Sequence, residues 1–153
     1  MQRRMFLRGS LAAGAAGVAA SAGLLTPQAV LAAWPEGAFS ATDVKSAMSA
    51  IAGGDSPEAG DIKIKAPDIA ENGAVVPITV STGMEGVESI SILASKNGTP
   101  LTASFNLGEG AEAFVSTRIK MGNTADVVAL VKAGGKLYSA KKEVKVTIGG
   151  CGG

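Results

Sequence analysis

The chain has 153 residues, 14 of them basic and 13 acidic, with no histidine and a single cysteine. A net charge of +1 supplies no basic surface for nucleic acid or an anionic membrane. One cysteine without histidine rules out an internal disulfide and argues against a zinc, copper or iron–sulfur site; with no Ser-His or Cys-His pair either, no catalytic residue, metal or cofactor is assigned.

The N-terminus reads Arg3-Arg4-Met5-Phe6-Leu7-Arg8, followed by an uncharged stretch from Gly9 to Val30 that is rich in alanine and glycine. Paired arginines before Phe-Leu and a mildly apolar run form a twin-arginine export signal, with Arg3 and Arg4 as its recognition pair. A membrane-spanning anchor would need more Leu, Ile and Phe than this stretch holds. No cysteine follows it, which excludes a lipoprotein anchor. Small residues at Ala32 and Ala33 offer two adjacent, competing cleavage points; residues 1–33 are read as a signal peptide and the mature chain begins near Trp34 in the periplasm. The mature chain keeps 11 basic residues against 13 acidic ones, a net −2. Because the twin-arginine route carries folded proteins and no cofactor motif is present, the signal implies a partner exported by riding on this chain.

Residues 34–148 are the size of one domain. Trp34 to Ala41 reads as an irregular lead-in with Pro35 and Gly37. Asp43 and its neighbours offer N-cap chemistry, and Val44, Ala47, Met48 and Ile51 fall at i, i+3, i+4 and i+7, one apolar stripe on a short helix that Gly53-Gly54 ends. That stripe is read as packing against the domain or a partner. Asp55 to Gly60 reads as a polar loop.

From Asp61 the period changes to two. Ile62 and Ile64 alternate with Lys63 and Lys65. Ala74 to Val80 is β-rich, but Pro77 makes it an edge or broken strand. In Val87 to Ala94, Val87, Ser89 and Ser91 share one face and Ile90 and Ile92 lie nearer the other. Lys96-Asn97-Gly98-Thr99 is a hairpin turn leading into Leu101 to Leu107, with Leu101, Ala103, Phe105 and Leu107 on one face. After Gly108-Glu109-Gly110 come strands at Phe114 to Lys120 and Asp126 to Lys132. The run Val127-Val128-Ala129-Leu130-Val131 reads as buried on both sides. Gly134-Gly135 turns the chain into a long last strand, Lys136 to Ile148. About seven strands joined by short turns predict a mainly β, immunoglobulin-like antiparallel sandwich preceded by a short N-terminal helix.

The sequence then ends Gly149-Gly150-Cys151-Gly152-Gly153. Glycine has no β-carbon, so residues 149–153 read as a flexible C-terminal arm with the Cys151 thiol near its tip. Three residues from Ile148 to Cys151 give a reach of about 10 Å. No cation neighbours Cys151 in sequence to lower a thiol pKa near 8.5, so activation must come from a partner's site. Ordering five residues in that site costs on the order of 5–10 kcal/mol of backbone entropy, which makes docking transient.

An export signal, a β-domain of this size and a terminal Gly-Gly-Cys-Gly-Gly together resemble the SoxY family, the sulfur substrate carriers of periplasmic thiosulfate-oxidising Sox systems. The resemblance covers the whole chain. It implies a non-enzymatic carrier whose attachment residue is Cys151, bearing an S-thiosulfonate and then a persulfide, with Gly149, Gly150, Gly152 and Gly153 as the swinging arm. It also implies SoxZ as a heterodimer partner, with transient visits to SoxAX, SoxB and, where present, SoxCD. The alternative from another class is a secreted sandwich interaction module joined through a Cys151–Cys151 or partner disulfide. A third reading, ATP-dependent activation of the Gly-Gly carboxylate, conflicts with an export signal.

Overall fold

The computed structural model describes residues 35–53 and 56–147. The signal peptide with Arg3 and Arg4, and the arm with Gly149, Gly150, Cys151, Gly152 and Gly153, lie outside the described residues.

Two helices come first, α1 (Glu36–Ser40) and α2 (Val44–Ala52). The expected irregular lead-in is therefore a helical turn: Pro35 presets its start, its carbonyl accepts from the Ala38 and Phe39 amides, and Ser40 Oγ bonds back to Glu36 O at 2.9 Å. The single helix predicted from sequence is the second of the two, and it is found with its caps. Asp43 accepts the Ser46 amide at 2.8 Å, and Gly53 closes the helix in the left-handed region at φ 67°, donating to Ser49 O.

Nine strands follow among the described residues: β1 (Glu58–Ala59), β2 (Ile62–Lys65), β3 (Ile69–Ala70), β4 (Val76–Thr82), β5 (Val87–Ala94), β6 (Leu101–Asn106), β7 (Phe114–Ile119), β8 (Ala125–Ala133) and β9 (Lys136–Val146). The larger sheet runs β1-β9-β8-β5-β6, with β3 also on β9, and the smaller one β2-β4-β7. The seven longer strands pair antiparallel, as expected of the sandwich. The two short ones, β1 and β3, pair parallel to β9, and β1 occupies part of what reads in sequence as a polar loop.

Two cores result. Between the sheets, Ile78, Val80, Ile90, Ile92, Val127, Ala129, Val131 and Val144 are fully buried. On the other face of the larger sheet, Leu93, Leu101, Leu130 and Leu137 meet Ala38 and Ala47, with Val44, Met48 and Ile51 packed around them. The helix stripe thus packs on its own domain, and β8 is two-sided as its apolar run predicts: Val127, Ala129 and Val131 face one core, Val128 and Leu130 the other.

Three strand details differ from the sequence reading. Pro77 sits in the central strand of the smaller sheet rather than at an edge. The ladder from β2 stops at Lys65↔Thr79, so that side of β4 is open at Pro77 and its missing N–H breaks no bond there. A bulge between Val87 and Ser89 turns Val87 to the inter-sheet core, away from the Ser89 and Ser91 face. A second irregularity, where Ile92↔Ala103 gives way to Leu93↔Leu101, leaves Thr102 extra. It sends Leu101 to the helices while Phe105 and Leu107 face the smaller sheet.

Asp43 carries the α2 cap through Ser46, whose side chain and amide both hold its carboxyl below the usual value. A lowered folded pKa stabilises above the ordinary carboxylate value and loses that contribution as pH falls through it. Asp43→Ala is expected to lower the melting temperature at pH 7 while Asp43→Asn largely preserves it. The Asp43→Ala penalty should shrink below about pH 4, as read by thermal unfolding across a pH series.

Candidate functional site

Cys151 and its flanking glycines lie outside the described residues, so what the structure describes is the end of β9, the last strand before them. β9 is eleven residues long and bonds to β8 from Ala133↔Lys136 to Ala125↔Val144. Its far edge is covered at both ends. Near its start, Glu58↔Tyr138 and Ala59↔Ser139 pair with β1; near its end, Ile69↔Lys145 and Ala70↔Val146 pair with β3. Between these contacts the chain crosses to the smaller sheet as β2. Residues 58–70 therefore stitch the two sheets together along the strand that carries the arm.

The final residues of that strand are gripped from two sides. The Lys145 amide donates to Asp68 O at 3.0 Å and the Thr147 amide to Ala70 O at 3.1 Å. From the other side, Thr124 Oγ1 accepts the Val146 amide at 2.9 Å. Lys142 adds a strap: its ammonium donates to Ala66 O at 2.7 Å and pairs with Asp68 at 3.0 Å. Asp68 is 90 % exposed at its side chain, so the pair itself contributes little and the carbonyl bond is the stronger fixing.

Gly73 closes the collar. Its carbonyl accepts the Met121 amide at 2.7 Å, and a β-carbon there would collide with Met121 O and stand 2.8 Å from Val146 Cγ1. Asn72 shapes the turn by accepting the Ala74 amide on Oδ1 at 3.0 Å. Of this collar, the sequence reading picked out only the strand that is held. Asp68, Ala70, Gly73, Thr124 and Lys142 went unread, and only Asn72-Gly73, a turn dipeptide, could have signalled it.

Two turns meet beside the collar. Asn97, in the β5–β6 hairpin, donates through Nδ2 to Lys120 O at 2.7 Å and accepts the Gly122 amide at 3.3 Å. The cleft between them, about 450 Å³, is lined by Lys96, Asn97, Gly98, Thr99, Lys120, Gly122 and Asn123. Among the described residues no group of three or more His, Cys, Asp or Glu could hold a metal ion, and no helix is long and apolar enough to cross a membrane.

The described residues define a two-sheet β-sandwich domain whose last strand is held on both edges near its end. Residues 48–151 match the family described as sulfur oxidation protein SoxY, a match that runs through Cys151. The structure of the sulfur carrier protein SoxY from Chlorobium limicola f thiosulfatophilum is similar at 46 % identity and a TM-score of 0.62, covering 69 % of this chain and 97 % of that one. The chain belongs to the SoxY family. The superoxide reductase (neelaredoxin) of Ignicoccus hospitalis shares the fold alone, at 22 % identity and a TM-score of 0.52 over 59 % of this chain and 82 % of that one. No curated protein sequence matches the chain.

The collar predicts a specific sensitivity. Gly73→Ala should destabilise the domain by about 1–3 kcal/mol, because the blocking atom is a backbone carbonyl that cannot swing aside. Urea unfolding measures the loss, and amide exchange at Val146 and Thr147 should accelerate more than at Val127 or Val131.

Proposed function

We propose that this protein is a covalent carrier of sulfur intermediates in thiosulfate oxidation, with the Cys151 thiol as the point of attachment. The observation that carries the reading is that the SoxY match extends to Cys151, five residues past Val146, the gripped last residue of β9. A carrier needs a fixed root and a thin, adaptable tip, and the collar at Val146 and Thr147 with the glycines at 149, 150, 152 and 153 supplies that combination.

In this reading Cys151 bears an S-thiosulfonate formed oxidatively at SoxAX. SoxB hydrolyses its terminal sulfone as sulfate and leaves a persulfide, and SoxCD, where present, oxidises the sulfane sulfur. In this division of labour the partner enzymes supply the chemistry, while this chain presents the sulfur and holds intermediates that would otherwise diffuse away. SoxZ is the standing partner. Residues 1–33 direct export to the periplasm through Arg3 and Arg4, with SoxZ carried along.

Intact-mass analysis of the periplasmic protein from cells grown on thiosulfate should show reducible additions of sulfur or thiosulfonate on Cys151. Cys151→Ser should lose every such adduct, and thiosulfate oxidation with it, while melting as the wild type does. Finding only cross-linked dimer on Cys151 would favour a disulfide-joined module instead. Deleting Arg3 and Arg4 should leave both this chain and SoxZ in the cytoplasmic fraction.

A further inference from the structure

The cleft beside the arm root has the chemistry of an anion seat. Lys96 and Lys120 both line it, and the rest of its lining is Asn97, Thr99, Asn123 and two glycines, with no carboxylate among them. Neither lysine has an ion-pair partner among the described residues, whereas the nearby Asp126 is already paired with Lys141 at 3.4 Å. Its shape is set from within: Asn97 ties the Lys96 turn to the Lys120 turn through two hydrogen bonds, so the two cationic segments are held in register.

The cleft and the arm root are also physically joined. Asn123 lines the cleft, and its chain neighbour Thr124 is the residue that accepts the Val146 amide. Both belong to the same end of the sandwich: Ala94, where β5 stops, lies opposite Val127, and Ala125, where β8 starts, lies opposite Val144. From Thr147 to Cys151 is four residues, an extended reach of about 13 Å. That span starts at the cleft's border, because Val146 is bonded to Thr124 and Thr124's chain neighbour Asn123 lines the cleft.

We infer that this cleft is a resting seat for the chain's own loaded arm, in which Lys96 and Lys120 receive the terminal sulfonate of the group carried on Cys151. The inference rests on the carrier reading above and adds to it a cargo preference. An S-thiosulfonate carries a full negative charge on three oxygens and is held. The free thiol carries none and is not. Docking in cis would keep the anionic intermediate beside the domain between enzyme visits, and a partner's stronger site would withdraw it.

The test uses the mature chain in vitro and does not depend on how cells load it. Tetrathionate exchange loads Cys151: the thiolate attacks an inner sulfur, forms the S–S bond to a thiosulfonate and releases thiosulfate, with the thiol proton passing to buffer. Amide NMR then compares loaded and free protein at dilute concentration. Loading should shift the amides of residues 96–99 and 120–123, and the shifts should vanish in K96Q/K120Q, persist in K96R/K120R and collapse in high salt. Blocking Cys151 with neutral iodoacetamide should shift none of them. Absence of shifts in the loaded wild type, shifts unchanged in K96Q/K120Q, or shifts that grow with protein concentration would overturn the inference. Failure of the carrier reading would instead appear as missing adducts in cells, with this measurement unaffected.

Discussion

The constraint on which the molecule turns is the grip on Val146, the last residue of its last strand, and on Thr147 just beyond it. Val146 donates to a threonine hydroxyl on one side and Thr147 to a backbone carbonyl on the other. Each such bond contributes about 1 kcal/mol net, and together they fix the end of β9. On the proposed carrier reading, a sulfur held on Cys151 is presented reproducibly only if the end of β9 does not drift. Fraying of β9 by two residues would add roughly 7 Å to the chain between the fixed strand and Cys151. The β3 pairing, the Lys142 strap and the close packing of Gly73 all act on that one boundary.

The rest of the fold makes this grip rigid. The larger sheet is covered on both faces, by the smaller sheet and by the two helices, so β8 is buried throughout its centre and gives β9 an immobile neighbour. The cores are built from Val, Ile, Leu and Ala with little aromatic volume, which suits flat sheet faces packed about 10 Å apart. Residues 58–70 switch from one sheet to the other and back. That switching covers the β9 edge that would otherwise offer unpaired backbone to other chains.

Much of this was legible in the sequence, and the limits have physical causes. The α2 stripe and its Asp43 and Gly53 caps, the two-sided β8 run and the hairpin at Asn97 each announce themselves by spacing or turn chemistry. What was missed has no period to read. β1 and β3 are two residues each, and α1 is a single turn hidden behind Pro35 and Gly37. The faces of Val87 and Leu101 were misassigned because a bulge adds one residue, and one residue inverts every side chain beyond it. Pro77 misled because the rule against central prolines concerns a bond, and here the neighbouring strand ends before that bond would form. Cys151 needed no fold to be recognised, whereas its collar is assembled largely from residues far away in the chain and could not be.

Charge is distributed along the sandwich in a way that bears on cargo. Glu85, Glu88 and Glu109 line a depression at the end where β8 turns into β9, the far end from the arm. There Glu88 is committed: the Gly135 amide and Lys132 hold its carboxyl below the usual value. Lys96 and Lys120 lie at the arm's end instead. On the proposed reading, an anion carried on Cys151 would be kept from the acidic end by the length of chain beyond Thr147 and set beside the cations. At about 4 Å in water one such contact is worth only about 1 kcal/mol, and salt screens it further. Tethering compensates, because a short linker holds the group at a local concentration of millimolar or above. A weak site with a tethered ligand is occupied between encounters and still yields at each one, and a carrier needs both properties.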